Sequence, residues 1–80
     1  MKLEWEWDDF DPAEIDLRHD GELMGWIGFS ASRKTCYTMA AWVSTEHPLD
    51  HKRFKSLRKA MRTLRHAYIA HVISGGNQDE

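Results

Sequence analysis

Zinc coordination is the first chemistry that the sequence could support, because sulfur and imidazole are ligands that zinc prefers. The candidate ligands are Cys36, His47, His51, His66 and His71. Their spacing argues against a site, since Pro48 separates His47 from His51. His66 and His71 would lie about 140° apart on a helical wheel. We therefore expect no metal site, and histidines that are exposed or hydrogen-bonded within the protein.

Nucleophilic, calcium and phosphate chemistry also lack a specific motif. A reactive Cys36 would need a base and electropositive surroundings, and only Arg33 and Lys34 precede it, so we expect a small residue that fills a strand. The acids of residues 8–11 could offer oxygen ligands to calcium, but the glycine-bearing twelve-residue loop of a calcium site is absent. Residues 25–28 contain two glycines inside a predicted strand, which is not a phosphate loop. The sequence predicts a protein that is not an enzyme and needs no cofactor.

Charge is divided between two parts of the chain, although the formal net charge is only −2. Residues 1–24 hold nine carboxylates against Lys2 and Arg18, and residues 51–65 hold seven Lys and Arg without an acid. The acids are Glu4, Glu6, Asp8, Asp9, Asp11, Glu14, Asp16, Asp20 and Glu22, and the bases are Lys52, Arg53, Lys55, Arg58, Lys59, Arg62 and Arg65. Two oppositely charged segments in so small a protein favour binding over catalysis.

Length and composition predict one domain. Eighty residues bury only about 60 to 65% of the unfolded surface, so stability is narrow without a disulfide, a metal or a partner. A single cysteine excludes an internal disulfide and fits a reducing cytoplasm. No run of about 18 apolar residues is present, which predicts a soluble protein with no membrane partner. We expect a domain over residues 1–74 and a flexible polar tail over 75–80.

The first two thirds of the chain predict strands. Residues 3–7 alternate, with Leu3, Trp5 and Trp7 on one face and glutamates on the other. Residues 15–19 and 22–29 flank Asp20-Gly21, a dipeptide that favours a type I′ hairpin turn. The glycines at 25 and 28 predict a bulge or a close approach of another backbone or a Trp ring. Residues 35–44 form the clearest strand, with Trp26 and Trp42 as the tryptophans expected in the core.

The last third predicts a helix from His51 to Ser74 with Asp50 as its N-cap. Its apolar stripe spans about 140°. That stripe comprises Phe54, Leu57, Ala60, Met61, Leu64, Ala67, Tyr68 and Val72. The opposite side carries Lys52, Lys55, Arg58, Lys59, Arg62, Arg65 and His66. The predicted fold class is α+β, a small antiparallel sheet of three to four strands packed by one long C-terminal helix.

The length of this predicted helix suggests a dimer. A helix over 51–74 would be about 36 Å long, against a radius of gyration near 12 Å for a domain of this size. Ile69 and Ile73 fall on the side that the basic residues occupy earlier in the helix. A second copy of the chain would bury both residues, so they are possible dimer contacts.

Each charged segment has a functional interpretation and a structural one. The acidic and aromatic residues mix in the way an interface hot spot does, and are predicted to bind a partner protein, although the rings could instead be core. These residues are Glu4, Trp5, Glu6, Trp7, Asp8, Asp9, Phe10 and Asp11. The alternative site is the basic helix side, Lys52, Lys55, Arg58, Lys59, Arg62 and Arg65, which could contact nucleic-acid phosphates. That side could also be solvated or turned toward the protein's own acids.

Two resemblances bear on these alternatives. Strands followed by a helix with a basic first half are similar to the latter part of a double-stranded RNA-binding domain, but the first helix and the glycine-lysine entry of that family are missing. In size, acidic start and layout the chain resembles small phage-encoded accessory proteins, including anti-CRISPR inhibitors. That resemblance implies a stoichiometric inhibitor of a host nucleoprotein complex, in the host cytoplasm, with carboxylates in place of phosphates.

Overall fold

A five-stranded antiparallel sheet with one helix packed against it forms the protein in the computed structural model. The structure describes residues 2–8 and 14–74, so the predicted tail over 75–80 lies outside it. The elements are β1 Leu3–Trp7, β2 Glu14–His19, β3 Glu22–Phe29, β4 Cys36–Ala40, β5 Lys52–Phe54 and α1 Leu57–Ile73. Strands adjacent in sequence are adjacent in the sheet. The predicted α+β class is confirmed, with five strands instead of three or four.

The first three strands follow the predicted alternation. Residues Asp20 and Gly21 link His19 to its partner Glu22, and both have positive φ, 53° and 88°, as a type I′ turn requires. The register shifts by one residue between Leu17 and Arg18, a bulge beside the turn.

Glycine at position 25 allows the helix and a neighbouring strand to come close. A Cβ there would lie 2.7 Å from the Met39 carbonyl oxygen and 3.4 Å from Cδ2 of Leu64. A Cβ at Gly28 would meet the Tyr37 ring at 2.5 Å. The predicted close approach is therefore confirmed at both glycines, although the ring over Gly28 is a tyrosine.

The predicted fourth strand is too long and the predicted helix starts too early. Strand β4 ends at Ala40, and residues 52–54 form β5 with Phe54 opposite Cys36. Phe54 is buried by this strand pairing, not by a helical stripe. The N-cap is Ser56, whose hydroxyl accepts a hydrogen bond from the Lys59 N–H at 3.2 Å. Helix α1 has 17 residues and is about 26 Å long.

Asp50 has a different role from the predicted N-cap. Its carboxylate accepts hydrogen bonds from the Ala40 N–H at 2.9 Å and the His47 N–H at 3.0 Å. Buried Thr38 donates its hydroxyl hydrogen to the Leu49 carbonyl at 2.5 Å. These bonds fasten the loop over residues 41–51 onto β4, and this loop leads the chain into β5.

One face of the sheet packs against α1, which contributes Ala60, Leu64 and Tyr68 to the core at the i, i+4, i+8 spacing of one helix side. The buried core comprises Ile15, Leu17, Ile27, Cys36, Phe54, Ala60, Leu64 and Tyr68. Of the two tryptophans predicted in the core, Trp42 is half-buried and packs against it, whereas Trp26 is half-buried on the other face. We call that other face the open face. By register it carries Glu4, Glu6, Glu14, Asp16, Arg18, Trp26, Gly28, Tyr37, Met39 and Arg53.

Candidate binding surfaces

The predicted acidic and aromatic site is divided between the two faces of β1. The glutamates at 4 and 6 lie on the open face, while Trp5 and Trp7 lie on the side that α1 packs against. Trp5 is half-buried beside the core, whereas Trp7 is 52% exposed and stacks on Phe29 with ring centroids 6.0 Å apart. Asp9, Phe10 and Asp11 lie outside the described residues. Carboxylates and rings therefore share a strand but not a surface.

Arg18 binds several groups at the acidic end of the molecule. Its Nε lies 2.9 Å from Glu6 Oε1, and its Nη2 lies 3.4 Å from Asp16 Oδ2. Its Nη1 donates to the Gly21 carbonyl at 3.1 Å. The exposed Lys2 Nζ lies 3.9 Å from Glu4 Oε2. The two cations of the first 24 residues thus neutralise part of the acidic segment.

Three carboxylates meet where β1 ends and β2 begins. One oxygen each from Asp8, Glu14 and Asp16 lies within 4.8 Å of the others. Backbone pairing brings them together, because the Asp8 N–H donates to the Glu14 carbonyl at 3.0 Å. The acids predicted as possible calcium ligands were those of residues 8–11, and Glu14 and Asp16 were not among them. Strand alternation could have found both, since it places them opposite Ile15 and Leu17 on the face that Asp8 shares.

The six predicted nucleic-acid-binding residues lie on β5 and α1 and in the link between them, and together with Arg53 we call them the basic surface. It comprises Lys52, Arg53, Lys55, Arg58, Lys59, Arg62 and Arg65, all exposed. None of them forms an ion pair with a carboxylate among residues 2–8 and 14–74. The alternative that this side turns toward the protein's own acids is therefore wrong for the part of the chain described. In sheet order β1 and β5 are opposite edges, so the charge division in sequence is also a division in space.

A groove of about 620 Å³ lies at the end of the basic surface where α1 begins. Four cations line it, namely Lys52, Arg53, Lys55 and Lys59, together with Phe54, Ser56 and Thr63. No acidic residue lies in the first turn of α1, so the partial positive charge of the helix N-terminus adds to that of the side chains. An anion is the ligand that this groove favours electrostatically.

The cysteine and the histidines are not placed for zinc or thiol chemistry. Within the described ranges, none of the predicted zinc ligands belongs to a group of three or more histidine, cysteine or carboxylate side chains that could share a metal ion. Cys36 is 2% exposed, and burial raises the pKa of its thiol. The rings of His47 and His71 instead pack against Trp42, with centroids 5.2 Å and 6.2 Å away.

A second groove, of about 500 Å³, lies between the β2–β3 turn and the end of α1. Its wall includes Leu23, Trp42 and Tyr68. The Tyr68 hydroxyl is 2.5 Å from His19 Nδ1, and burial, followed by the charges of Glu22 and Asp20, raises the pKa of Tyr68. In sequence Tyr68 fits the apolar stripe of the helix, and its hydrogen bond to His19, 49 residues earlier, has no local signal.

Ile69 and Ile73 differ in exposure at the end of α1. Ile69 is half-buried, and Ile73 is 78% exposed. The dimer was predicted partly because a helix over residues 51–74 would extend beyond the sheet, and the observed helix is shorter. Dimerisation through these two residues stays a prediction.

In the ranges 2–8 and 14–74, no helix has the length and apolar character to cross a membrane. No protein-family model, curated protein or solved structure matches the chain.

Proposed function

We propose that the protein binds nucleic acid through phosphate contacts made by the basic surface. The observation that carries the proposal is the set of seven exposed cations that make no ion pair with any described carboxylate. A cation already paired within a protein gains little from a phosphate, whereas these seven keep their full charge for a ligand. Their binding would release the counterions that surround nucleic acid, which is the main source of sequence-independent affinity.

The spacing of the cations suits a phosphate chain. From Arg58 to Arg65 the helix rises about 10 Å, and one strand of duplex DNA carries a charge about every 3.4 Å along its axis, so this row spans about three phosphates. The groove beside Lys55 and Lys59 adds a position for a further phosphate. Phosphate contacts carry no direct information on base sequence, so the proposed binding is independent of sequence.

The acidic end would orient the protein on its ligand. Glu4 and Glu6 lie on β1, at the opposite edge of the sheet from β5, and a polyanion would repel them. The protein would therefore bind with β5 and α1 toward the phosphates and β1 toward solvent. This arrangement also explains how a chain with a net charge of −2 could bind nucleic acid. At short range, the charge of the contacting surface, and not the net charge, determines the electrostatic attraction.

The test is fluorescence anisotropy with labelled duplex and single-stranded DNA and RNA between about 50 and 200 mM KCl. If five phosphates are contacted on a duplex, the slope of log K against log salt is about −4.5, and affinity falls roughly 500-fold across this range. The double variant Lys59→Ala/Arg62→Ala should reduce the slope by about 2. Lys2→Ala, which removes an exposed cation at the acidic end, is the control and should leave affinity and slope unchanged. Absence of binding at about 50 mM salt, or equal slopes for the double variant and wild type, would refute the proposal.

A second function is favoured by Trp7, which is half-exposed on a strand at the edge of the sheet. A partner protein with a basic extended segment could add a strand to β1, with its cations facing Glu4 and Glu6. This is the geometry by which the chain would act as a stoichiometric inhibitor of a host nucleoprotein complex. Glu4→Lys/Glu6→Lys and Trp7→Ala would then abolish capture of one host protein that Lys59→Ala/Arg62→Ala retains. The opposite pattern would favour the nucleic-acid function.

A further inference from the structure

We propose that Asp8, Glu14 and Asp16 form a calcium-binding site at the junction of β1 and β2. This site lies at the opposite sheet edge from the basic surface and does not depend on the proposed function. The carboxylates come together because Trp7 pairs with Ile15, which makes Asp8 the next neighbour of Glu14 on the open face. Asp16 follows two residues along the same strand and on the same face. Two strands thus supply three oxygen ligands.

The burial of Asp16 and its unpaired oxygen distinguish this group from an exposed acidic surface. Asp16 is 3% exposed, and its Oδ1 is a buried atom that has no hydrogen-bond partner. Its other oxygen has one long contact, 3.4 Å to Arg18 Nη2. Burying a carboxylate oxygen without a partner carries a large desolvation cost, which grows when further carboxylates lie within 4.8 Å. A cation among the three oxygens removes both penalties.

The ligand set favours calcium. Three carboxylates offer up to six hard oxygen ligands, and calcium takes six to eight oxygens in a flexible geometry. Magnesium requires a near-ideal octahedron and is usually held by one or two carboxylates and several waters. One oxygen of each carboxylate lies within 4.8 Å of the others, which allows all three residues to reach one ion. Asp8 and Glu14 are half-buried, which leaves access for water to complete the coordination.

Arg18 contacts this group through Asp16, and its position limits its competition with a metal. It approaches Asp16 from the Oδ2 side and is held there by Glu6 and by the Gly21 carbonyl. The other oxygen, Oδ1, has no hydrogen-bond partner. Calcium would therefore bind Asp16 through Oδ1, and together with Asp8 and Glu14 it would link the end of β1 to the start of β2.

Isothermal titration calorimetry of the EDTA-treated chain with calcium chloride tests the site. We expect saturable binding of one ion with a Kd of about 10⁻⁵–10⁻³ M, and weaker binding of magnesium. Asp16→Asn and Glu14→Gln should each weaken calcium binding at least about tenfold, in line with the loss of one charged ligand. Glu22→Gln, at an exposed carboxylate outside the group, is the matched control and should leave the Kd unchanged.

Circular dichroism of each variant shows whether it folds, so loss of binding can be assigned to loss of a ligand. Glu14→Gln provides a second variant at the half-buried rim if Asp16→Asn fails to fold. Three results would overturn the proposal: no saturable heat up to about 10 mM calcium, equal affinity in wild type and Asp16→Asn, or magnesium binding as tight as calcium binding.

Discussion

Replacing Asp50 by Asn should destabilise the protein because the Asp50 carboxylate fastens the loop over residues 41–51 to β4. The carboxylate accepts the Ala40 N–H at 2.9 Å and the His47 N–H at 3.0 Å. An amide has one acceptor oxygen, so one of the two N–H groups would face an NH₂ group instead. Hydrogen bonds to a charged group contribute about 1.5–3 kcal/mol each, so we expect a loss of about 2 kcal/mol at pH 7. For a domain of this size that corresponds to a Tm lower by roughly 8–16 °C.

The pH dependence of this loss tests its electrostatic origin. The two backbone hydrogen bonds lower the pKa of Asp50, with the largest contribution from Ala40. A carboxyl whose pKa is lower when folded stabilises the fold above its unfolded pKa of about 3.9, and this stabilisation disappears as pH falls through the lowered value. The difference in unfolding free energy between wild type and Asp50→Asn should therefore be constant from pH 7 to 5 and shrink below about pH 4.

Urea unfolding followed by tryptophan fluorescence at several pH values measures this difference. Asp20→Asn is the matched control. Asp20 is exposed, and within residues 2–8 and 14–74 its carboxylate contacts only the His19 ring. Its φ of 53° also suits Asn. We expect the control to change stability by less than about 0.5 kcal/mol. A loss below about 0.5 kcal/mol for Asp50→Asn, or an equal loss at pH 7 and pH 3.5, would show that the carboxylate does not fasten the loop.

Two further substitutions test the packing of the sheet and the start of the helix. Gly25→Ala should lower the free energy of unfolding in urea by about 1–3 kcal/mol, because its Cβ would lie 2.7 Å from the Met39 carbonyl oxygen. Gly28→Ala should lower it less, since its Cβ would meet the Tyr37 side chain, which can move. Ser56→Ala should cost about 0.5–2 kcal/mol and lower helix content by circular dichroism, because it removes the N-cap bond to the Lys59 N–H. Ser44→Ala, at an exposed loop position, is the control, and a silent Ser56→Ala would mean that the helix does not begin there.

The strands of the sheet were predictable where the pattern was local. Alternation located β1, and the Asp20-Gly21 dipeptide gave the β2–β3 turn, because positive φ at two successive residues has few sequence solutions. The side of α1 that packs on the sheet was also predictable from Leu57 onward, since a 3.6-residue period is visible in sequence.

The boundary before the helix was not predictable from local pattern. Phe54 fits both the helical stripe and a strand opposite Cys36, and only pairing with β4 decides between them. Asp50 has the residue type of an N-cap, but its carboxylate bonds to Ala40, ten residues earlier in the chain. Long-range pairing overrode local propensity at both residues.

One candidate site was predictable from local sequence, and the other depends on long-range strand pairing. The basic surface was visible in sequence because its helical members repeat at the period of a helix. The carboxylate group of Asp8, Glu14 and Asp16 combines the end of one strand with the start of the next, so it depends on the register of β1 and β2. Alternation along β1 places Trp7 and Glu6 on opposite faces of the sheet, although both were predicted to belong to one binding site.

The two ends of the molecule act as nearly independent electrostatic units at physiological salt. Edge strands β1 and β5 are four strand spacings apart, about 19 Å at about 4.8 Å per spacing. The Debye length at 0.15 M salt is about 8 Å, so the field of the acidic edge strand is reduced roughly tenfold at β5. A protein that mixed these charges on one surface would pair its cations with its own carboxylates and lose their attraction for phosphate. Segregation along the sheet therefore allows an acidic chain to present a basic surface, and it would keep a calcium ion at β1 from altering the proposed phosphate contacts at α1.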